Sequence, residues 1–82
     1  MKKIVWTDQA KADVRLLDKS TAMRVLHGLH RFAQSGVADC KSLQGGLEEL
    51  LLRIGDYRIF FVHTNEDELE IRRVIHRKEA YR

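Results

Sequence analysis

The chain of 82 residues contains no proline, a single cysteine and no apolar run long enough to cross a membrane. Because Cys40 is alone, an intramolecular disulfide and a zinc site built on cysteine pairs are both excluded. The apolar run after the initial Met-Lys-Lys is too short for a secretory signal, so we expect a reducing, cytoplasmic location and no contact with a membrane. No internal repeat is present, and the length predicts one domain over residues 1–82.

Familiar metal, cofactor and nucleophile motifs are also missing. His27 and His30 lie three residues apart on a predicted helix, but no third ligand accompanies them at metal-site spacing. The adjacent Gly45 and Gly46 are followed by Leu47 and two acids, which does not fit a phosphate-cradling loop. The serines lie in no nucleophile motif. We therefore expect neither a metal nor a cofactor.

What the chain does have is arginine in its second half. The net charge of +3 is mild, and acids at residues 66–70 and 79 dilute the basic residues. Clustered arginine is nevertheless a better indication of nucleic-acid binding than net charge. The basic positions of this half are Arg53, Arg58, Arg72, Arg73, Arg77, Lys78 and Arg82.

Hydrophobic periodicity predicts the order strand, helix, helix, and then three strands. The β-branched and aromatic stretch KIVWT forms the first strand, and Thr7 or Asp8 then caps a helix that runs to about residue 17. Ser20 is a candidate N-cap for a second helix reaching Gln34, with Gly36 placed to end it. A polar, mobile loop is expected over residues 37–46. The apolar stripes of the helices are Ala10, Val14 and Leu17, and then Ala22, Val25, Leu26, Leu29 and Phe32 or Ala33.

This order favours an α+β fold, in which an antiparallel sheet of about four strands carries an N-terminal two-helix hairpin on one face. The first strand must cross over to join the other three. Its place, at the edge or in the middle of the sheet, is left open by the sequence.

The sharpest local signal is the hairpin LLLRIGDYRIFFV. Only Gly55 and Asp56 separate its two strands, and a glycine in the first position of a two-residue loop suits a type II′ turn. That turn places Arg53 directly opposite Arg58, and opposed like charges destabilise a sheet. Either the two guanidiniums bind an anion such as phosphate, or each pairs with an acid, with Asp56 and residues 48 and 49 as candidates.

The second hairpin, near residues 65–68, allows two registers. The preferred one gathers an apolar, helix-facing set and leaves a half-apolar, half-basic open face, with a β-bulge needed near Arg73. The open face could bind RNA, receive a partner segment, or be a solvated surface with salt bridges. The helix-facing set is Leu52, Ile54, Ile59, Phe61, Ile71 and Ile75, and the opposite set is Arg53, Arg58, Arg72 and His76 among Leu51, Phe60, Val62 and Val74.

An arginine cluster beside His76 and Tyr81 contains the parts for RNA cleavage. A base removes the proton of a ribose 2′-OH, guanidiniums stabilise the charge on the phosphate, and an acid protonates the leaving oxygen. His76 has a suitable intrinsic pKa, whereas Tyr81 needs neighbouring cations to lower its own. Each residue alone is more often structural.

Three segments together carry a family resemblance: IVWTDQA, LLRIGDYRIFF and the terminal IHRKEAYR. Across its whole length the chain resembles a small toxin of the RelE/ParE superfamily of bacterial type II toxin–antitoxin systems. The resemblance implies a β-α-α-β-β-β fold and a cognate antitoxin as partner. The RelE-like branch cleaves mRNA in the ribosomal A site, and the ParE-like branch inhibits DNA gyrase.

The RelE-like branch is favoured by the terminal HRKxxYR. It implies a ribosome-dependent mRNA interferase that acts by metal-independent 2′-OH attack, with the ribosome and mRNA as further partners. Arg58 and Arg77 would contact the scissile phosphate, Tyr81 would stack on a base or assist proton transfer, and His76 would act as a general acid or base. The RNA-binding residues would be Arg53, Lys41, Lys78 and Arg82.

One departure from the family pattern bears on this reading. RelE-like enzymes often carry basic residues on the strand before Arg53, where this chain has Glu48, Glu49 and Leu51. Two alternatives therefore stay open. One is a ParE-like gyrase inhibitor, and the other is a catalytically inactive member that only binds its antitoxin.

Overall fold

The computed structural model describes residues 2–35, 40–42 and 49–80. No helix in these ranges is both long and apolar enough to cross a membrane. In chain order the elements are strand β1 (Lys3–Trp6), helices α1 (Asp8–Arg15) and α2 (Lys19–Ser35), strands β2 (Cys40–Ser42), β3 (Glu49–Ile54), β4 (Tyr57–Asn65) and β5 (Glu68–His76), and the helical turn α3 (Arg77–Ala80).

Both helix starts are fixed by side-chain caps. The backbone of Thr7 is extended, and its hydroxyl accepts a hydrogen bond from the Ala10 N–H at 3.2 Å. This confirms the predicted cap of α1. The predicted cap of α2 is wrong, because Asp18 takes this role by accepting the Thr21 N–H at 3.2 Å. Ser20 lies inside the first turn of the helix. The predicted helix end at residue 36 lies outside the described ranges.

The sheet has five strands in the order β1-β5-β4-β3-β2. The α+β class is confirmed, but the sheet is mixed rather than antiparallel, because β1 pairs in parallel with β5. The two helices follow β1, and the three long strands β3, β4 and β5 are then joined by hairpins. The last of these strands, β5, lies beside β1. The strand β2 pairs with β3 inside the segment that we expected to be a loop.

The first hairpin has the predicted register. Ile54 pairs with Tyr57, and Arg53 pairs with Arg58. Gly55 has a φ of +57°, and no other described residue has a positive φ. A positive φ at the first loop position followed by a negative one at Asp56 fits the type II′ turn. Glycine is needed here because other residues rarely adopt this conformation.

The second hairpin turns at residues 66 and 67, where the Asn65 side chain accepts the Asp67 N–H at 2.8 Å. The pairing between β4 and β5 then slips by one residue, because Phe61 pairs with Ile71 whereas Phe60 pairs with Arg73. Arg72 is the extra residue, so the predicted bulge is confirmed.

The bulge changes the faces of the residues beyond it. Val74 pairs with Ile59 and is buried in the core, whereas Ile75 pairs with Arg58. Our placement of Val74 and Ile75 was therefore wrong. His76 pairs with Tyr57, which packs against the core, so His76 lies on the helix side and not beside Arg53 and Arg58. One extra residue reverses the alternation of side chains along a strand.

The core lies between the helices and one face of the sheet. Phe32 of α2 meets Phe61 of β4 edge to face, with ring centroids 5.4 Å apart. Leu26, which we placed on the buried stripe of α2, is instead 38% exposed. The buried cluster consists of Ala10, Val25, Leu29, Phe32, Ala33, Leu52, Ile59, Phe61, Leu69, Ile71 and Val74.

Candidate functional site

Two opposed arginines lie on the sheet face turned away from the helices. Arg53 and Arg58 are cross-strand partners, both are half-buried, and the Nε atom of each is shielded from solvent. Arg58 Nη1 donates to the carbonyl oxygens of Gly55 and Tyr57, at 3.1 Å each. Arg58 is therefore held against the hairpin turn, which limits the entropy it loses when it binds a ligand.

A third arginine reaches the same turn from the end of the neighbouring strand β5, where His76 pairs with Tyr57. The backbone N–H of Arg77 donates to the Asp56 carbonyl oxygen at 2.8 Å, and its Nε lies 3.9 Å from Asp56 Oδ1. Both side chains are more than half exposed, so this ion pair orients Arg77 but adds little stability. The turn is thus contacted by Arg58 and by the sequence-distant Arg77, and Arg53 pairs with Arg58 beside it.

The sheet face that carries Arg53 and Arg58, here called the arginine face, is not exposed to solvent along its whole length. Leu51 alternates with the core residue Leu52 along β3, so it points away from the helices, yet it is only 2% exposed. Our expectation of an open surface is therefore wrong at this position. Half-buried guanidiniums on a partly covered face are less hydrated than surface arginines, which strengthens their interaction with an anion.

His76 occupies a different environment. Its Nδ1 accepts the backbone N–H of Lys78 at 3.2 Å, and its ring contacts Tyr57 edge to face at 5.4 Å. In the neutral ring the proton is consequently on Nε2. The structure separates His76 from the Arg53–Arg58 pair by the thickness of the sheet. Its predicted part in proton transfer stays a prediction.

The other predicted site residues are described only in part. Lys78 is exposed at the start of α3, and the backbone of Lys41 pairs with Leu51. Tyr81 and Arg82 lie outside the described residues, as does Glu48, so their predicted roles stay predictions.

A buried acid that the sequence analysis missed holds the bulged strand to α1. Asp13 is 8% exposed and accepts hydrogen bonds from Arg73 Nε at 2.8 Å, the Val74 N–H at 2.9 Å and Gln9 Nε2 at 3.1 Å. Burial raises the pKa of Asp13, but the hydrogen bonds and the charge of Arg73 outweigh it, so the pKa lies below the ordinary value of an aspartate. An acid beside the apolar stripe of α1 was the available signal.

A second surface lies on the helix side of the molecule. Two adjoining hollows of 280 and 490 Å³ share Trp6 and Leu26 among their lining residues. No acid is found among the described residues that line them. The remaining lining residues are Ile4, Val14 and Leu29, which are apolar, and Lys11, Arg15, His27 and His30, which are basic.

Solved structures from several microorganisms share this fold. The RelBE2 toxin–antitoxin complex of Mycobacterium tuberculosis matches with a TM-score of 0.79 and 22% identity, over 92% of this chain and 96% of that one. The RelB–RelE complex of Methanococcus jannaschii matches with a TM-score of 0.75 and 23% identity, over 94% of both chains. The RelE–RelB complex of Pyrococcus horikoshii matches with a TM-score of 0.75 and 22% identity, over 93% of this chain and 94% of that one. Among curated proteins no relative matches.

A mixed sheet under a helical hairpin is the fold that this chain shares with these toxin–antitoxin complexes. The family described as the ParE toxin of type II toxin–antitoxin systems matches residues 4–81. The chain therefore belongs to this family and is the toxin component of a type II toxin–antitoxin system. The resemblance noted from the three sequence segments is confirmed.

Proposed function

We propose that this toxin is a ribosome-dependent mRNA interferase. The observation that supports it is the presence of Arg53, Arg58 and Arg77 at one hairpin turn. Opposed arginines destabilise a sheet unless something stabilises them together, and phosphate oxygens fit the guanidinium fork.

In the proposed reaction the ribose 2′-oxygen attacks the adjacent phosphorus, and the bond from phosphorus to the 5′-oxygen of the next nucleotide breaks. The 2′-OH proton passes to a base, and an acid protonates the leaving 5′-oxygen. Arg58 and Arg77 stabilise the charge that develops on the phosphate, and Arg53 positions the strand. Tyr81, four residues after Arg77, stacks on a base or assists proton transfer. Lys41, Lys78 and Arg82 contact the RNA backbone.

Primer extension on a reporter mRNA in a purified translation system tests this proposal. We expect cuts within the A-site codon only when ribosomes are present, and a loss of about 10²–10³-fold in rate for Arg58→Ala. Arg72→Ala is the matched control, since Arg72 is exposed and pairs on the surface with Glu70 at 3.5 Å. Intact mRNA with folded wild-type protein, or full activity of Arg58→Ala, would contradict the proposal.

A second candidate function is inhibition of DNA gyrase, because the family description that matches this chain is that of the ParE toxins. A supercoiling assay separates the two candidates. Inhibited supercoiling together with intact mRNA would favour the gyrase target. A folded toxin that affects neither but binds its antitoxin would be a catalytically inactive member.

For the antitoxin we propose an acidic, amphipathic segment that docks in the two hollows around Trp6 and Leu26. The hollows offer apolar side chains between basic ones, and amphipathic helices bind grooves of this kind through their apolar face. The three structural relatives above are complexes of a toxin with its antitoxin, which supports a protein partner.

Substitution of one exposed apolar residue tests this docking surface. Leu26→Glu should weaken binding of the cognate antitoxin by about tenfold or more, because it places a charge in an apolar contact. Met23→Glu is the matched control, since Met23 is 44% exposed on the same helix and lines neither hollow. Equal affinities of the two variants, measured by calorimetry, would contradict the proposal.

A further inference from the structure

A separate cleft lies on the helix side of the Gly55–Asp56 turn, across the sheet from Arg53 and Arg58. Its volume is 220 Å³, and it opens between α2 and the ends of β3, β4 and β5. The described lining residues are Thr21, Arg24, Val25, Ile54, Asp56, Tyr57 and His76. The sequence predicted another role for His76 and none for Arg24.

Two donors converge in this cleft. The ring of His76 is fixed by the hydrogen bond from the Lys78 N–H to Nδ1, so its Nε2–H is the group left to donate to a ligand. The edge-to-face contact with Tyr57 holds the same ring in place. Arg24 is exposed on α2 and supplies a permanent positive charge. One acid, Asp56, also lines the cleft, and its Oδ1 lies 3.9 Å from Arg77 Nε.

The cleft and the arginine face meet at a single residue. A Cβ placed on Gly55 would lie 3.9 Å from Arg24 Cδ and 4.0 Å from Arg24 Nη1. From the other face, Arg58 Nη1 donates to the Gly55 carbonyl oxygen at 3.1 Å. Arg24 and Arg58 therefore lie on opposite sides of the turn at Gly55. A flexible, extended ligand that passes over the turn can contact both arginines.

We propose that the cleft binds a phosphodiester group of single-stranded RNA next to the one held by Arg58, so that the strand bends around the Gly55–Asp56 turn. Arg24 and the Nε2–H of His76 donate to the phosphate oxygens. In this proposal the role of His76 is to bind the RNA. This inference rests on the proposed function, because it takes RNA as the ligand.

The test is binding of a short, 2′-O-methylated single-stranded RNA, which cannot be cleaved because its 2′-oxygen carries no proton. Fluorescence anisotropy at several salt concentrations gives both the affinity and its salt dependence. For Arg24→Ala we expect an affinity about tenfold lower, and a slope of log K against log salt that is smaller by about 0.7, the value for one phosphate contact on a single strand. Arg24→Lys keeps the charge and should retain most of the slope.

The matched control is Arg31→Ala, two turns further along α2 and outside the cleft. Its affinity and slope should equal those of the wild type. A second readout needs no variant: in wild-type protein the ring nitrogen signals of His76 should shift when the RNA is added.

Three results would overturn the inference: no binding by wild-type protein at low salt, equal slopes for Arg24→Ala and Arg31→Ala, or unmoved His76 signals. Tighter binding of duplex DNA than of the single strand would overturn it as well. The outcome is separable from that of the proposed function, because the oligonucleotide assay contains no ribosome. Binding that depends on Arg24, without mRNA cleavage in the translation system, would leave the cleft assigned and the interferase proposal rejected.

Discussion

Replacement of Asp13 by alanine should destabilise this domain more than any surface substitution. The carboxylate receives the Val74 N–H, two nitrogens of Arg73 and the Gln9 amide, and it is 8% exposed. Its loss leaves the Val74 N–H at the edge of β5 without its acceptor. It also releases the bulge from α1.

The magnitude follows from these contacts. A buried donor left unsatisfied costs about 1–3 kcal/mol. The Arg73 interaction adds at most about 1 kcal/mol, since the Arg73 side chain is 46% exposed and water replaces much of it. We therefore expect a loss of about 1–4 kcal/mol for Asp13→Ala. A domain of this size has a total stability of roughly 4–12 kcal/mol, so the variant loses a large share.

Urea denaturation followed by Trp6 fluorescence measures the effect, because Trp6 is half-buried and packs against the core. With a slope near 1 kcal/mol per molar urea, the midpoint should fall by about 1–4 M. Asp13→Asn keeps an acceptor oxygen and should lose less, whereas Asp67→Asn, an exposed turn residue, should change little. A midpoint for Asp13→Ala within 0.5 M of the wild type, an order-of-magnitude limit from the same slope, would refute this reasoning.

The same residue makes stability depend on pH. Its pKa in the folded state is lowered, so its contribution is fully present above the unfolded value of about 3.9 and is lost as the pH falls through the folded value. Wild-type protein should therefore lose more stability than Asp13→Asn when the pH is lowered from 5 toward about 2. Parallel pH profiles of the two proteins would contradict this expectation.

Two glycines allow further predictions by the same denaturation assay. Gly55→Ala should cost about 1–2 kcal/mol because alanine resists a positive φ, while Gly55→Asn should cost less; an equal loss would exclude a backbone origin. Gly28→Ala should cost about 1 kcal/mol, because the new Cβ would lie 2.6 Å from Ile54 Cδ1 and the gain in helix propensity offsets only part of the clash; a more stable variant would contradict this.

The sequence predicted the local features whose causes are local. The cap at Thr7, the turn at Gly55 and the register of Arg53 against Arg58 each depend on a few neighbouring residues, and all three are confirmed. The prediction of the α2 cap was wrong because two neighbouring residues are equally suitable by their local sequence. Asp18 and Ser20 are both good caps, and only the hydrogen bond in the folded helix shows that Asp18 is used.

The sequence by itself determined the class of the protein, its α+β order of elements and the opposed arginine pair, because periodicity and a two-residue turn are properties of short segments. Only the tertiary structure decided that β1 joins β5 in parallel, that Arg77 reaches the turn, and that His76 faces the helices. These outcomes depend on how distant strands pair. A single bulge at Arg72, held by contacts with α1, reverses the faces of every residue that follows it in β5.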